Sequence, residues 1–154
     1  QQHRERRLRL DESHEALITD TVGFIRDLPA DLIAAFLATL EELRDAALLV
    51  HVIDGSSDRC EKQLAVVENL LGSLELGEIP TLRVFNKADK ASPELLSNLC
   101  RRYQGLPVSA LDRSSLPTFI DRLRGILVTG NRNSPLKKIS TEGCAAPSEP
   151  ASSV

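Results

Sequence analysis

Thr81-Leu82-Arg83-Val84-Phe85-Asn86-Lys87-Ala88-Asp89 is the stretch on which the fold turns. Its first five residues make a short, mostly apolar run of the length expected for a buried strand. The last four are an Asn-Lys-x-Asp tetrapeptide placed where that strand ends. In open α/β sheets, ligands bind beyond the carboxyl ends of the strands, where loops converge. There the Asp89 carboxylate can accept two hydrogen bonds, from the ring N–H and the exocyclic amine of guanine. Adenine offers neither in that geometry and would leave a buried charge unpaired, at a cost of about 1–3 kcal/mol. Asn86 would tie the loop to neighbouring backbone, the Lys87 stem would lie across a face of the base, and Ala88 fills the variable position. A solvated polar turn is the plainer reading of these four residues; the strand before them favours the base-reading loop.

Upstream, Asp20-Thr21-Val22-Gly23 follows a second apolar stretch, Ala16-Leu17-Ile18-Thr19. An Asp-x-x-Gly leaving a strand suits the phosphate end of a nucleotide. The carboxylate can reach magnesium through water, because that ion keeps part of its hydration shell. The glycine lets backbone N–H approach a phosphate with no side chain in the way. Taken alone the motif is weak, and an ordinary strand-to-loop turn explains it equally well. Downstream, Pro107-Val108-Ser109-Ala110 closes a further short strand, and its Ser-Ala pair can present a backbone N–H to the guanine carbonyl oxygen. The order is informative: phosphate motif, strand–helix unit, base loop, helix, third loop.

The rest of the chain fits an alternating α/β domain. Arg6 to Leu10 alternates polar and apolar, like a half-exposed edge strand, and Ala16 to Thr19 can return antiparallel to it across the polar turn Asp11-Glu12-Ser13-His14. From Asp31 to Arg44, Leu32, Ile33, Phe36, Leu37, Leu40 and Leu43 recur at helical spacing. Ala46 to Ile53 is a continuous apolar run, as expected of a strand covered on both faces. Leu64, Val67, Leu70, Leu71 and Leu74 mark another helix, stopped near Gly77 and Pro80, and helices are expected again over 93–103 and from about Ser115. Strands alternating with helices imply a mostly parallel sheet. After Val128 the composition turns to Ser, Pro, Ala and Gly, so 129–154 is expected to be a disordered tail.

Composition narrows the classes. The 154 residues can bury one core, and 42% hydrophobic with 27% charged residues is ordinary for a globular domain. The net charge of −3 argues against a domain-wide nucleic-acid footprint, and the cluster Arg4, Arg6, Arg7, Arg9 reads as a solvated face. No apolar run is long enough for a membrane span. A cytoplasmic protein, monomeric in solution, is the separate expectation. Cys60, Cys100 and Cys144 lack metal-ligand spacing and read as reduced thiols. His51 reads as a packed core residue, Glu41 and Glu42 as solvated surface, and Asp54 with Ser56 and Ser57 as a cap for the next helix.

Asp20-Thr21-Val22-Gly23-Phe24-Ile25-Arg26-Asp27-Leu28-Pro29, then Ala38-Thr39-Leu40-Glu41-Glu42, then Leu49-Val50-His51-Val52-Ile53-Asp54, resembles the HflX-type GTPases. The resemblance covers about Arg6 to Leu127. It implies a three-layer, P-loop NTPase-like G domain, with a mostly parallel sheet and one antiparallel edge strand. It also implies GTP and GDP as ligands, ATP as an accepted alternative, Mg2+ as cofactor, and association with the large ribosomal subunit, from which such proteins split or rescue stalled ribosomes. None of the eight glycines opens a Gly-Lys-Ser or Gly-Lys-Thr phosphate loop. Residues 1–128 are therefore expected to be a partial G domain whose amino-terminal part, with the phosphate loop and first switch, is missing. Such a fragment is expected to be inactive alone, and the intact protein to hydrolyse GTP.

In that intact protein, Asp20 would hold a magnesium-bound water and Gly23 would sense the terminal phosphate, making 22–28 the switch. Phe24 stands where many small GTPases carry a water-orienting glutamine. A phenyl ring cannot orient water, so slow intrinsic turnover follows, unless Phe24 is simply a hydrophobic latch. The competing class is a non-catalytic, nucleotide-free α/β interaction module. Nucleotide binding separates the two.

Overall fold

The computed structural model describes residues 5–12, 14–20, 42–130 and 136–143. Among these residues six strands form one sheet: β1 (Glu5–Arg9), β2 (Glu15–Asp20), β3 (Leu48–Asp54), β4 (Thr81–Asn86), β5 (Leu106–Pro107) and β6 (Leu136–Gly143), in the order β1-β2-β6-β3-β4-β5. Of these strands, β1 runs antiparallel to its neighbour β2, and the pairs β2–β6, β6–β3, β3–β4 and β4–β5 are parallel. The expected α/β class, with a parallel sheet and one antiparallel edge strand, is what the chain adopts. Among the described residues three α-helices accompany it: α1 (Cys60–Ser73), α2 (Pro93–Tyr103) and α3 (Leu116–Gly130).

Alternation along β3 shows how the layers form. Leu48 and Val50 pack with Leu82, Val84, Leu123 and Leu127, on the face covered by α3. Leu49 packs with Val67 and Leu71 of α1, while Ile53 meets Cys60, Leu64, Phe85, Leu96 and Leu99 of α1, β4 and α2. A strand with apolar residues at successive positions can fill both faces, because side chains alternate across the sheet. The same rule works on β4, where Leu82 and Val84 face α3 and Phe85 faces α1 and α2.

Local chemistry sets the helix ends. Pro93 opens α2, where its missing N–H costs nothing. Gln104 ends that helix in the left-handed region (φ 52°), and the Gly105 N–H donates to the Cys100 carbonyl at 3.1 Å. Arg101 and Arg102 lie in the last turn of α2, where the helix dipole favours cations. Residues 21–41, which carry Thr21, Val22, Gly23, Phe24 and most of the helix expected from Asp31 to Arg44, lie outside the described residues. Just after them, where the expected helix was to end, Glu42–Asp45 is a 3-10 turn.

One expectation is corrected. The composition after Val128 pointed to a disordered tail over 129–154, yet Leu136–Gly143 forms β6, and it forms it in the interior of the sheet. Its register is continuous on both sides: Ile139 is opposite Ile18 of β2 and Leu48 of β3. Two flanking parallel strands satisfy its backbone in both directions, and that outweighs a side-chain pattern poor in apolar residues. Residues 131–135 and 144–154 lie outside the described residues. Among the described residues, no helix is long and apolar enough to cross a membrane.

Candidate nucleotide site

The carboxyl ends of β2, β3, β4 and β5 bring Asp20, Asp54, Asn86 and Val108 to one rim of the sheet. Backbone bonds stitch the three loops of the β3–β5 side together. Gly55 N–H donates to the Asn86 carbonyl (2.9 Å), Val108 N–H to the Phe85 carbonyl (2.9 Å) and Ala88 N–H to the Val108 carbonyl (3.1 Å). Asn86, Lys87, Ala88 and Asp89 therefore sit directly against Val108, Ser109 and Ala110, although about twenty residues of helix and turn separate the two groups in sequence.

The side chains are linked as tightly. Ser109, which is buried, donates its hydroxyl to Asp89 Oδ1 at 2.6 Å. Asn86 Oδ1 accepts from the Ala110 N–H at 3.1 Å, so the asparagine does tie its loop to neighbouring backbone. Ser109 N–H in turn donates to Ser115 Oγ (3.1 Å), and Ser115 Oγ donates back to the Ser109 carbonyl (3.0 Å). Both N–H groups of the Ser-Ala pair are thus engaged within the loops. The role expected for that pair, an N–H offered to a carbonyl oxygen of the base, requires one of these bonds to be exchanged. Asp112 braces the same loop, accepting from Ser114 N–H (2.9 Å) and Ser114 Oγ (2.8 Å), and these bonds hold its pKa below the usual carboxylate value.

Lys87 has a left-handed backbone (φ 61°), and its Nζ donates to Asp54 Oδ2 at 2.7 Å. Asp54 differs from expectation. Helix α1 begins at Cys60, with Arg59 in the cap position, so Asp54 caps no helix. Its Oδ1 instead accepts from Ser56 N–H (3.0 Å) and Ser56 Oγ (2.6 Å), closing the turn after β3. Burial acts to raise the Asp54 pKa, but the hydrogen bonds from Lys87 and Ser56 outweigh it and hold the group below the usual carboxylate value. Sequence reading missed this pair, and it missed Ser115. The in-register match of Asp54 with Asn86 is what places lysine and carboxylate together, and no local motif encodes it.

Asp20 ends β2 and is exposed at the same rim. It fits a carboxylate that reaches a hydrated cation. Among the described residues, no group of three His, Cys, Asp or Glu side chains gathers to hold a metal by protein ligands alone. Magnesium bound through one carboxylate, waters and substrate phosphates needs no such group. His51 is buried on β3, as expected of a core residue, and its pKa is lowered to about 4 by burial and then by the nearby Arg83 guanidinium. Burial likewise raises the thiol pKa of Cys60 and Cys100, so neither is an activated thiolate.

No family model matches the chain. Curated relatives do. The chain is 49% identical to "GTPase HflX" of Escherichia coli (strain K12) over 84 residues, 54% of this chain and 20% of that protein. It is 39% identical to "GTPase HflX" of Magnetococcus marinus over 116 residues, 75% of this chain and 27% of the relative. For "GTPase HflX" of Lacrimispora saccharolytica the figures are 36% over 122 residues, 79% and 29%. The chain thus spans between a fifth and a third of the length of these curated relatives. Over the part they share, the chain is similar to these HflX-type GTPases at 36–49% identity, consistent with a portion of an HflX G domain.

Proposed function

We propose that this chain supplies the base-reading half of a guanine-nucleotide site in a GTP-hydrolysing protein of HflX type. The observation that carries the reading is the Asn86–Asp89 loop, locked against Ser109 and Ala110 by two side-chain hydrogen bonds. Preorganised polar groups of this kind discriminate strongly, because a base lacking the matching donors leaves them unpaired. Ser109 occupies one oxygen of Asp89, which orients the carboxylate, and a carboxylate has further lone pairs to receive the guanine ring N–H and amine.

At the other end of the nucleotide, Asp20 with Thr21, Val22 and Gly23 would face magnesium and the terminal phosphate. Magnesium supplies charge neutralisation for phosphoryl transfer to water. The names of the relatives support GTP hydrolysis as the activity of the whole protein. Binding to the large ribosomal subunit, with splitting or rescue of stalled ribosomes in the cytoplasm, is proposed from the same resemblance, as is acceptance of ATP; a monomeric state is proposed beside them. Residues 1–128 are proposed as the partial G domain.

The decisive test replaces Asp89 with Asn in the intact protein and compares guanine with xanthine nucleotides by fluorescence titration. Xanthine carries a carbonyl where guanine carries the amine, so Asp89→Asn is expected to move preference towards xanthine by at least tenfold, about 1.4 kcal/mol. Undiminished guanine preference would remove Asp89 from the role of base reader. Failure of the unaltered protein to bind any nucleotide would favour the interaction module.

A further inference from the structure

We infer that Asp54 is a positioning residue for base recognition, acting through Lys87. The inference rests on the guanine reading above and deepens it. Lys87 occupies the one place in the base loop with a left-handed backbone, a conformation that side-chain-bearing residues adopt only when their surroundings hold them there. Its long stem has many rotamers, and a loose lysine would have to be ordered each time a base arrived. Here the ammonium is already anchored, 2.7 Å from Asp54 Oδ2.

Asp54 is itself fixed. Ser56 fills Oδ1 from both its N–H and its hydroxyl, leaving Oδ2 for the lysine. The strand beneath is equally constrained. Asp54 is in register with Asn86, and the ladder runs one bond further through Gly55 N–H to the Asn86 carbonyl. That close approach leaves little room for a side chain. A Cβ at Gly55 would lie 3.2 Å from the Asn86 carbonyl oxygen, 3.2 Å from Phe85 Cβ and 3.0 Å from Leu96 Cδ2. The turn after β3 is therefore built against the base loop, and Asp54 is its charged contact. The carboxylate is only 16% exposed and the lysine 38%, so the pair is partly shielded from solvent. Paying the ordering cost of the lysine in the free protein is preorganisation, and it should appear as affinity.

The test is a double-mutant cycle in the intact protein, read by titration with a fluorescent GDP analogue. Asp54→Asn is expected to weaken binding about tenfold, and Lys87→Ala at least as much. The double variant should bind no more weakly than Lys87→Ala alone, since Asp54 acts only through that lysine. The nucleotide-free protein provides a second readout: Asp54→Asn should speed acetylation of Lys87 several-fold at an unchanged melting temperature. Full additivity of the two substitutions would overturn the inference. So would unaltered or tighter binding by Asp54→Asn, the latter marking the pair as a latch that competes with the base. These outcomes leave the guanine reading standing, whereas equal binding of GDP and ADP analogues by the unaltered protein would overturn both.

Discussion

Replacing Ile139 with proline probes the most consequential feature of the sheet, the strand β6 between β2 and β3. Because β6 has a partner on each side, the Ile139 N–H donates into the ladder whichever neighbour it faces. Proline removes that donor, at about 1 kcal/mol for the lost bond, and leaves an interior carbonyl of β2 or β3 without a partner, at about 1–3 kcal/mol more. Prolines inside sheets are confined to edges and bulges for this reason. A total of about 3 kcal/mol corresponds to roughly a hundredfold in a local opening equilibrium. Native-state amide exchange reads it. The amides of Glu15–Asp20 and Leu48–Asp54 that face β6 should exchange about a hundredfold faster. Those in the β3–β4 ladder, whose register from Leu49–Thr81 to Asp54–Asn86 does not involve β6, should stay close to the parent values. Ile139→Val, a loss of one methylene, is the control and should cost no more than about 0.5–1.5 kcal/mol. If the proline variant protects β2 and β3 as fully as the parent, Leu136–Gly143 does not lie between them and the reasoning fails.

Two further outcomes follow from particular contacts. His51 is neutral in the folded chain down to about pH 4, against about 6.5 unfolded, so in that window the unfolded chain binds a proton the native state does not. Stability should therefore fall as pH drops from 6.5 towards 4, by roughly 3 kcal/mol in all. His51→Leu should flatten that part of a denaturant-midpoint profile, and an identical slope in the variant would refute the assignment. Gly105→Ala would place a Cβ 2.6 Å from Phe85 Cε2 and 3.0 Å from the Arg83 carbonyl oxygen. Phe85 is fully buried and cannot retreat, so a loss of about 1–3 kcal/mol is expected in urea unfolding, and an unshifted midpoint would count against this packing.

Much of the site was legible because strand-end motifs are local. Asn86–Asp89 announces itself in four residues, and the apolar runs before it and before Asp54 locate the strands that carry the loops. The short β5 needed the motif after it to be noticed at all, since two residues carry no periodicity. Asp54 was misjudged because the local pattern Asp-Gly-Ser-Ser does suggest a cap. The carboxylate answers to Lys87, thirty-three residues on, and only strand register brings the two together. Ser115 escaped for the same reason: its hydroxyl acts on Ser109 across a turn whose shape is set by Asp112.

The amino-acid sequence by itself determined the α/β class, the elements on either side of the base loop and the identity of the groups that would read a purine. Each of those depends on side-chain chemistry repeated at short range. Strand order, the interior place of Leu136–Gly143 and the pairing of Asp54 with Lys87 were decided by tertiary structure alone. A parallel sheet joins segments far apart in the chain through backbone groups that every residue possesses, so its order leaves little trace in residue identity. A strand with two lysines and a glutamate can take a central position when both neighbours satisfy its main chain, and periodicity of side chains does not register that contribution.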